Sequence, residues 1–225
     1  LCIYISPTVM KFRPLYQFSM CFQYLYPYGI FRLCPSSGMK VVYITFDDGP
    51  VPEVTPQVLD ILARYKVKAT FFMVGENVDK HPDLYRRVLA EGHSVGNHTY
   101  HHVKGMRMRL STYLNEVRLC EEAFARQQDV SGSTLLFRPP YGRSWWWQRK
   151  AIAQQGYRIC LWDVLTHDYS AAQTPEKMMD TIRRYTRNGS IINFHDSVKS
   201  NQRMLTTLPQ AIEWLQAQGY TLLPL

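Results

Sequence analysis

The sequence predicts an α/β protein whose parallel strands form either a layered sheet or a barrel. From Lys40 onward, short runs rich in β-branched and aromatic residues alternate with segments of helical periodicity. Strands separated by helices pair in parallel through right-handed crossovers. Reactive side chains also recur where predicted strands end, and in barrels of this kind the carboxyl rim is where active sites are built. These side chains belong to Asp47, Asp48, His98, Arg138, Asp168 and His195.

Composition limits the class of protein. The 225 residues suffice for one large domain or two small ones, and 46% hydrophobic with 20% charged residues is typical of a globular chain. The formal net charge of +8 favours polyanions, but the sequence has no dense Lys/Arg block, so we expect no nucleic-acid partner. Five cysteines without a CxxC spacing support neither a thiolate metal site nor a complete disulfide framework.

Residues 1–39 form a segment of different composition, aromatic and apolar, which we interpret as an arm that packs on the domain at 40–225. Its only charges are those of Lys11, Arg13 and Arg32. Peripheral contact with a membrane surface is the alternative interpretation, because aromatic and basic residues together favour the interface. No apolar run reaches the roughly 18 to 20 residues that span a bilayer, and prolines interrupt any secretory pattern. Met10 is a plausible start, which leaves open whether residues 1–9 are native.

The first half of the domain is predicted to contain three strands, at 41–46, 69–74 and 93–97. Thr55 followed by Pro56 is typical of a helix start, and this helix runs to about residue 65 with an inward stripe of Val58, Leu59 and Leu62. A second helix follows His81-Pro82 as far as about residue 91. Ser111-Thr112 caps a longer third helix.

The second half repeats the alternation. Strands are predicted at 134–137, 157–162 and 190–194, with a last extended segment at 220–223. The helices between them follow Ser144, as far as Gly156, and follow Thr174-Pro175, as far as about residue 187. A final helix is predicted at about 204–218. Trp145, Trp146 and Trp147 lie at the start of the Ser144 helix, where they either line a sugar-binding groove or pack in the core.

The paired carboxylates at the end of the first domain strand indicate a metal. Asp47 and Asp48 precede the turn signal Gly49-Pro50, and two carboxylates in one pocket resist double ionisation unless a cation lies between them. His98 and His102 are four residues apart, so both imidazoles share one face if the segment is a helical turn. Two histidines and one aspartate form a ligand set that leaves positions open for water and substrate. Surface histidines in a loop are the plain alternative, and His101 is an alternative ligand.

Five ordered motifs extend this interpretation: TFDDGP at 45–50, HTYHH at 98–102, RPPYG at 138–142, Asp168-Tyr169, and INFHD at 192–196. Over roughly residues 40–225 they resemble the polysaccharide deacetylases that share the NodB homology domain, carbohydrate esterase family four. The resemblance implies a distorted (β/α) barrel. It also implies metal-dependent removal of N-acetyl groups from a GlcNAc-containing glycan such as peptidoglycan, a chitooligosaccharide or a surface polysaccharide.

The resemblance also assigns roles to individual residues. The metal, with zinc expected and cobalt or nickel as alternatives, would be held by Asp48, His98 and His102. Asp47 would be the general base and His195 the general acid. The backbone N–H of Tyr141 would help to hold the oxyanion, while Arg138 and Asp168 would position the base and the acid.

Two departures from the family pattern keep other substrates open. Asn193 stands where a leucine is usual, which predicts a rebuilt or more polar pocket for the acyl methyl group, and Leu165 stands where an aspartate is frequent. The alternatives are therefore the same machinery acting on acetyl xylan or a cyclic ureide, and a catalytically silent carbohydrate-binding homologue. The oligomeric state is open. So is the compartment, because a glycan substrate favours the envelope whereas the missing signal pattern and unpaired cysteines favour the cytoplasm.

Overall fold

The computed structural model describes residues 26–33, 38–127 and 135–225. Most of the predicted N-terminal arm, including residues 1–9, lies outside these described residues. The statements that follow concern the described ranges alone.

The strands of the described residues pair in parallel throughout and form a curled half-barrel, which confirms the predicted (β/α) barrel class. Their order across the sheet is β1-β6-β5-β4-β3-β2-β8-β7, and β9 pairs with the start of β2. Arg32, just after edge strand β1, bridges to Ser190, just before β8. The strands are β1 (Gly29–Ile30), β2 (Val41–Asp47), β3 (Thr70–Met73), β4 (Ser94–Asn97), β5 (Leu136–Phe137), β6 (Arg158–Cys160), β7 (Val164–Leu165), β8 (Ile191–His195) and β9 (Thr221–Leu222).

Helices connect these strands, as parallel pairing requires. They are α1 (Thr55–Arg64), α2 (Gly75–Lys80), α3 (Pro82–Ala90), α4 (Leu110–Ala125), α5 (Trp146–Gln154), α6 (Pro175–Tyr185) and α7 (Asn201–Ala217), with short 3₁₀ turns at Gly105–Arg107 and Pro140–Gly142. None of the helices in the described ranges combines the length and the apolarity that crossing a bilayer requires.

The burial of β2 agrees with its place in the interior of the sheet, between β3 and β8. All seven of its residues are buried, as expected for a parallel strand with both faces covered. Phe46 stacks between Phe71 of β3 and Phe194 of β8, with ring centroids 5.0 and 5.9 Å away. The predicted stripe of α1 is confirmed, since Val58, Leu59 and Leu62 are all fully buried. Strand β2 is thus packed on both faces up to Asp47, the first of the two carboxylates.

Two local predictions differ from the structure. The strand predicted at 157–162 is present in a shorter form as β6, and the strand β7 that follows it was not predicted. Between β6 and β7, the buried Asp163 binds the guanidinium of Arg187 through two hydrogen bonds of 2.9 and 3.0 Å. Ser111 and Thr112 do not cap α4, which begins one residue earlier at Leu110 after an extended Arg109. The cap at Thr174 is confirmed, and its hydroxyl accepts from the backbone N–H of Lys177.

Residues 26–33 fall within the predicted arm and pack on the domain. β1 pairs with β6, and Phe31 is buried beside Leu161 and Trp162. The Tyr26 hydroxyl donates to the carbonyl of Gly142 at 3.1 Å. The division of the chain at residue 39 stays a prediction.

Candidate active site

The ends of four strands of the sheet, β5, β4, β2 and β8, bring predicted site residues to one rim. Asp47 is the last residue of β2 and His195 the last residue of β8, and the two are register partners across the sheet. Asn97 ends β4 directly before His98, and Arg138 directly follows β5. The expectation that the reactive side chains meet at the carboxyl rim is therefore met by the backbone itself.

Asp48, His98 and His102 form a cluster of three ligand atoms that all lie within 4.8 Å of one another. The Asp48 Oδ1 atom is 3.2 Å from His102 Nε2 and 3.7 Å from His98 Nε2. Four ligands about 2.1 Å from a tetrahedral zinc ion stand about 3.4 Å apart. The observed spacing fits such an ion, so this group could hold a divalent metal.

The two imidazoles do converge, but the predicted helical turn at 98–102 was wrong. They lie in the loop that follows β4, and His102 has a left-handed φ of 52°. The Asn97 side chain fixes this loop by accepting from the backbone N–H of Thr99 at 2.9 Å. His101 faces away from the cluster, because both its backbone N–H and its Nδ1 are hydrogen-bonded to Glu116.

The protonation of His98 suits a metal ligand. Its Nδ1 lies 2.7 Å from the carbonyl oxygen of Arg138, so it carries the proton and donates, leaving Nε2 as a free acceptor toward Asp48. Burial lowers the pKa of His98 to about 4. The ring is neutral near pH 7, which is the form that coordinates a metal.

The Asp48 carboxylate depends on an unusual backbone conformation. Its φ of 83° lies in the left-handed region, which costs energy for a residue with a side chain. Two neighbours hold this turn: Asn77 donates to the Asp48 carbonyl at 2.8 Å, and the Asp196 carboxylate accepts from the N–H of Gly49 at 3.0 Å. Neither Asn77 nor Asp196 was predicted from the sequence to have this role. The Gly-Pro turn signal was the available clue that this backbone needs outside partners.

Asp47 pairs with a fully buried guanidinium. The Nη1 of Arg138 lies 2.7 Å from Asp47 Oδ1, and the two side chains are 0% and 3% exposed. Arg138 also donates to the carbonyls of Cys160 and Leu161 and lies 4.0 Å from the ring of Phe72. These contacts fix the orientation of the guanidinium, which binds one oxygen of Asp47.

His195 pairs with the buried carboxylate of Asp168. Asp168 Oδ1 accepts from His195 Nδ1 at 2.8 Å, and Oδ2 accepts from the His195 backbone N–H at 2.7 Å. Burial alone would lower the pKa of His195, but the charge and hydrogen bond of Asp168, with Asp48 nearby, raise it to about 9. The imidazole is protonated near neutral pH and can act as a proton donor.

Exposed aromatic side chains lie beside the cluster and further along the chain. The ring of Tyr141, half exposed and at a left-handed φ of 60°, lies 4.8 Å from the ring of His102. Trp145, just before α5, and Trp146 and Trp147, at its start, are 38%, 54% and 40% exposed. Packing of these tryptophans in the core was thus the wrong alternative, and the groove stays a prediction.

The geometry defines a class of protein. It is a parallel α/β half-barrel with a cluster of side chains suited to a metal ion, beside a buried carboxylate and a protonated imidazole. An N,N,O ligand set with open positions, a base candidate and an acid candidate are the components of metal-assisted hydrolysis. Neither a nucleophilic serine nor a thiolate is needed for such chemistry.

The comparisons with known proteins identify the family. Residues 35–160 match the family model for polysaccharide deacetylase, so the chain belongs to the polysaccharide deacetylase family. It is 34% identical to a peptidoglycan-N-acetylglucosamine deacetylase of Bacillus cereus over 80% of this chain and 84% of that protein. It is 32% identical to a chitooligosaccharide deacetylase of Bradyrhizobium sp., over 84% of this chain and 90% of that protein.

A solved structure agrees with the fold. The crystal structure of the Bc1960 peptidoglycan N-acetylglucosamine deacetylase superposes with a TM-score of 0.83 at 31% identity, covering 92% of this chain and 95% of that chain. The family resemblance and the barrel class expected from the five motifs are both confirmed.

Proposed function

We propose that this protein is a metal-dependent hydrolase that removes N-acetyl groups from a GlcNAc-containing glycan, such as peptidoglycan or a chitooligosaccharide. The observation that carries the proposal is the convergence of the Asp48, His98 and His102 cluster with two separate partners, Asp47 and His195, on one rim. The relatives named as deacetylases of such glycans support the substrate class.

Zinc is the metal we propose for the cluster. Two imidazole nitrogens and one carboxylate oxygen are typical zinc ligands, and cobalt or nickel accept the same donors. The hydrogen bond from His98 Nδ1 to the Arg138 carbonyl fixes the ring in the orientation that ligation needs. When bound, the metal supplies a Lewis acid that polarises the amide carbonyl and lowers the pKa of a water molecule from about 16 toward 7.

Side chains at the rim transfer the protons of the proposed reaction. Asp47, held by Arg138, takes the proton from the attacking water while the new C–O bond forms at the acetyl carbon. The backbone N–H of Tyr141 donates to the resulting oxyanion, and donors of this kind contribute about 3 to 4 kcal/mol each. His195, held protonated by Asp168, then gives its proton to the sugar nitrogen as the C–N bond breaks. Acetate and a free amino sugar are the products.

The first test of this function pairs metal analysis with acetate release. Freshly purified protein, reloaded with zinc or cobalt, is incubated with chitooligosaccharides and peptidoglycan fragments. We expect about one metal ion per chain and acetate release, with both lost in His98→Ala and only the acetate release lost in Asp47→Asn.

The matched control is His101→Gln, a neighbouring histidine that points away from the cluster. This variant should keep both the metal and the activity. A wild-type protein that binds metal without releasing acetate from any such glycan would refute the substrate, and an unchanged metal content in His98→Ala would refute the ligand set.

A further inference from the structure

Asn193 lies in the middle of β8 and is completely buried, at the position where the family pattern has an apolar leucine. It is the register partner of Thr45 on β2, two residues before the paired Asp47 and His195. Because side chains alternate along a strand, Asn193 lies on the same face as His195. The carboxamide is therefore beneath the rim that carries the proposed chemistry.

The hydrogen bonds of Asn193 connect the two members of the buried ion pair. Its Oδ1 accepts from Arg138 Nη1 at 2.6 Å and from Thr45 Oγ1 at 2.9 Å. Its Nδ2 donates to Asp47 Oδ2 at 3.0 Å. A guanidinium only donates and a carboxylate only accepts, so these neighbours fix the orientation of the amide. A side chain at this place must offer an acceptor on one side and a donor on the other.

The consequence for Asp47 is that both of its oxygens are held. Oδ1 is bound by Arg138 at 2.7 Å and Oδ2 by Asn193. With an apolar residue at position 193, only Oδ1 would have a protein partner in this network, and the carboxylate plane would be free to turn about the last side-chain bond. Each oxygen keeps a second lone pair, so the carboxylate can still accept from water.

We propose that Asn193 is a positioning residue that sets the plane of the Asp47 carboxylate and accepts a hydrogen bond that orients Arg138. The proposal rests on the assignment of Asp47 as the general base in the proposed function. It replaces the expectation from the sequence, in which a polar residue at 193 alters the pocket for the acyl methyl group. A fixed carboxylate meets the attacking water in one orientation, and alignment of reacting groups acts on kcat rather than on KM.

The test uses Asn193→Leu and Asn193→Asp in the zinc-loaded full chain. Asn193→Leu removes both hydrogen-bonding functions, whereas Asn193→Asp keeps the acceptor for Arg138 and loses the amide donor to Asp47. Both variants should lower kcat by about 10- to 100-fold with KM changed less than about twofold, since misalignment by about 1 Å has an effect of this size. Metal content should equal that of the wild type in both.

Two further measurements keep the outcomes distinct. N-formyl, N-acetyl and N-propionyl glucosamine oligomers should lose the same factor in kcat, because the base serves every acyl group. A changed ratio among the three substrates would overturn the proposal in favour of an acyl-pocket role. Wild-type kcat in Asn193→Leu would overturn it as well, as would full activity in Asn193→Asp, which would leave Asn193 as a partner of Arg138 alone.

Failure of the proposed function gives a different result. In that case the wild type itself would release no acetate, and Asp47→Asn would not differ from it. An active wild type that is insensitive to Asn193→Leu would contradict only the positioning role. Thermal unfolding of the metal-loaded variants serves as the check on folding.

Discussion

The buried carboxylates of Asp47 and Asp168 both belong to the candidate site, and they pair with different partners. Asp47 faces a guanidinium, which is charged at every working pH, whereas Asp168 faces an imidazole, whose charge depends on pH. Both carboxylates are 0–2% exposed, and a buried charge without a partner is unfavourable. The Asp47–Arg138 pair is thus a fixed ion pair, whereas the Asp168–His195 pair holds a proton that the imidazole can release.

The largest effect on stability and activity at either buried pair should follow from Arg138→Met. Removing this partner leaves the Asp47 carboxylate buried and uncompensated, which lowers the free energy of unfolding by about 3 to 5 kcal/mol. We also expect loss of acetate release, because the base is no longer held. Urea unfolding monitored by fluorescence, together with the acetate assay, measures both effects.

An exposed ion pair provides the control for that comparison. Arg126 pairs with Asp79 at 2.6 Å, but the arginine side chain is 50% exposed. Arg126→Met should therefore cost less than about 1 kcal/mol. Equal losses in the two variants would mean that the burial of Arg138 has no energetic consequence.

The second prediction concerns the Asp168–His195 pair and its pH dependence. Asp168 raises the pKa of His195 from the ordinary 6.5 to about 9, so the stability from this pair is complete below pH 6.5 and is lost as the pH rises through 9. In Asp168→Asn the pKa of His195 falls, and the alkaline limb of kcat/KM moves to lower pH. At pH 8 the rate should fall by about 100-fold or more.

A pH profile of kcat/KM from pH 5 to 10 checks this shift, with Arg126→Met as a folded comparison. If the alkaline limb stays in place in Asp168→Asn, His195 is not the acid that limits the reaction. Unfolding measured over the same range should show the pH-dependent loss in the wild type only.

The smallest effect is expected outside the buried pairs, at the exposed tryptophans that follow Arg138. Trp146→Ala should raise KM for long chitooligosaccharides about fivefold, as one aromatic contact contributes about 1 kcal/mol, with kcat unchanged. The effect on KM should vanish for short oligomers that do not reach Trp146. Trp146→Phe keeps an aromatic face and is the matched control; equal KM values for both variants would exclude stacking.

The sequence could predict which residues reach the rim because strand ends are marked locally. The apolar run before Asp47 and the turn signal after it are both visible without any tertiary information. β8 likewise shows a mostly apolar run before His195. Parallel pairing then brings such ends together, whatever the details of the loops.

Contacts that arise across the sheet could not be predicted in this way. Asn193 was expected to affect an acyl pocket, and only the register of β8 against β2 shows that its amide binds Asp47 and Arg138. The convergence of His98 and His102 was predicted for the wrong reason, because it depends on a left-handed backbone in the loop rather than on helical spacing. Glu116, which holds His101, comes from a helix that the sequence had given no role in the site.

The packing of Tyr26 has a consequence for how this domain is produced and engineered. Its hydroxyl lies within hydrogen-bond distance of Gly142 and Ser144, and the Arg149 guanidinium lies 3.5 Å above its ring. Arg149 in turn donates to the carbonyls of Pro27 and Ser144. The family match starts only at residue 35, so an expression boundary chosen from that match would delete these contacts. A recombinant domain that begins before Tyr26 retains these contacts with the segment between Tyr141 and the start of α5.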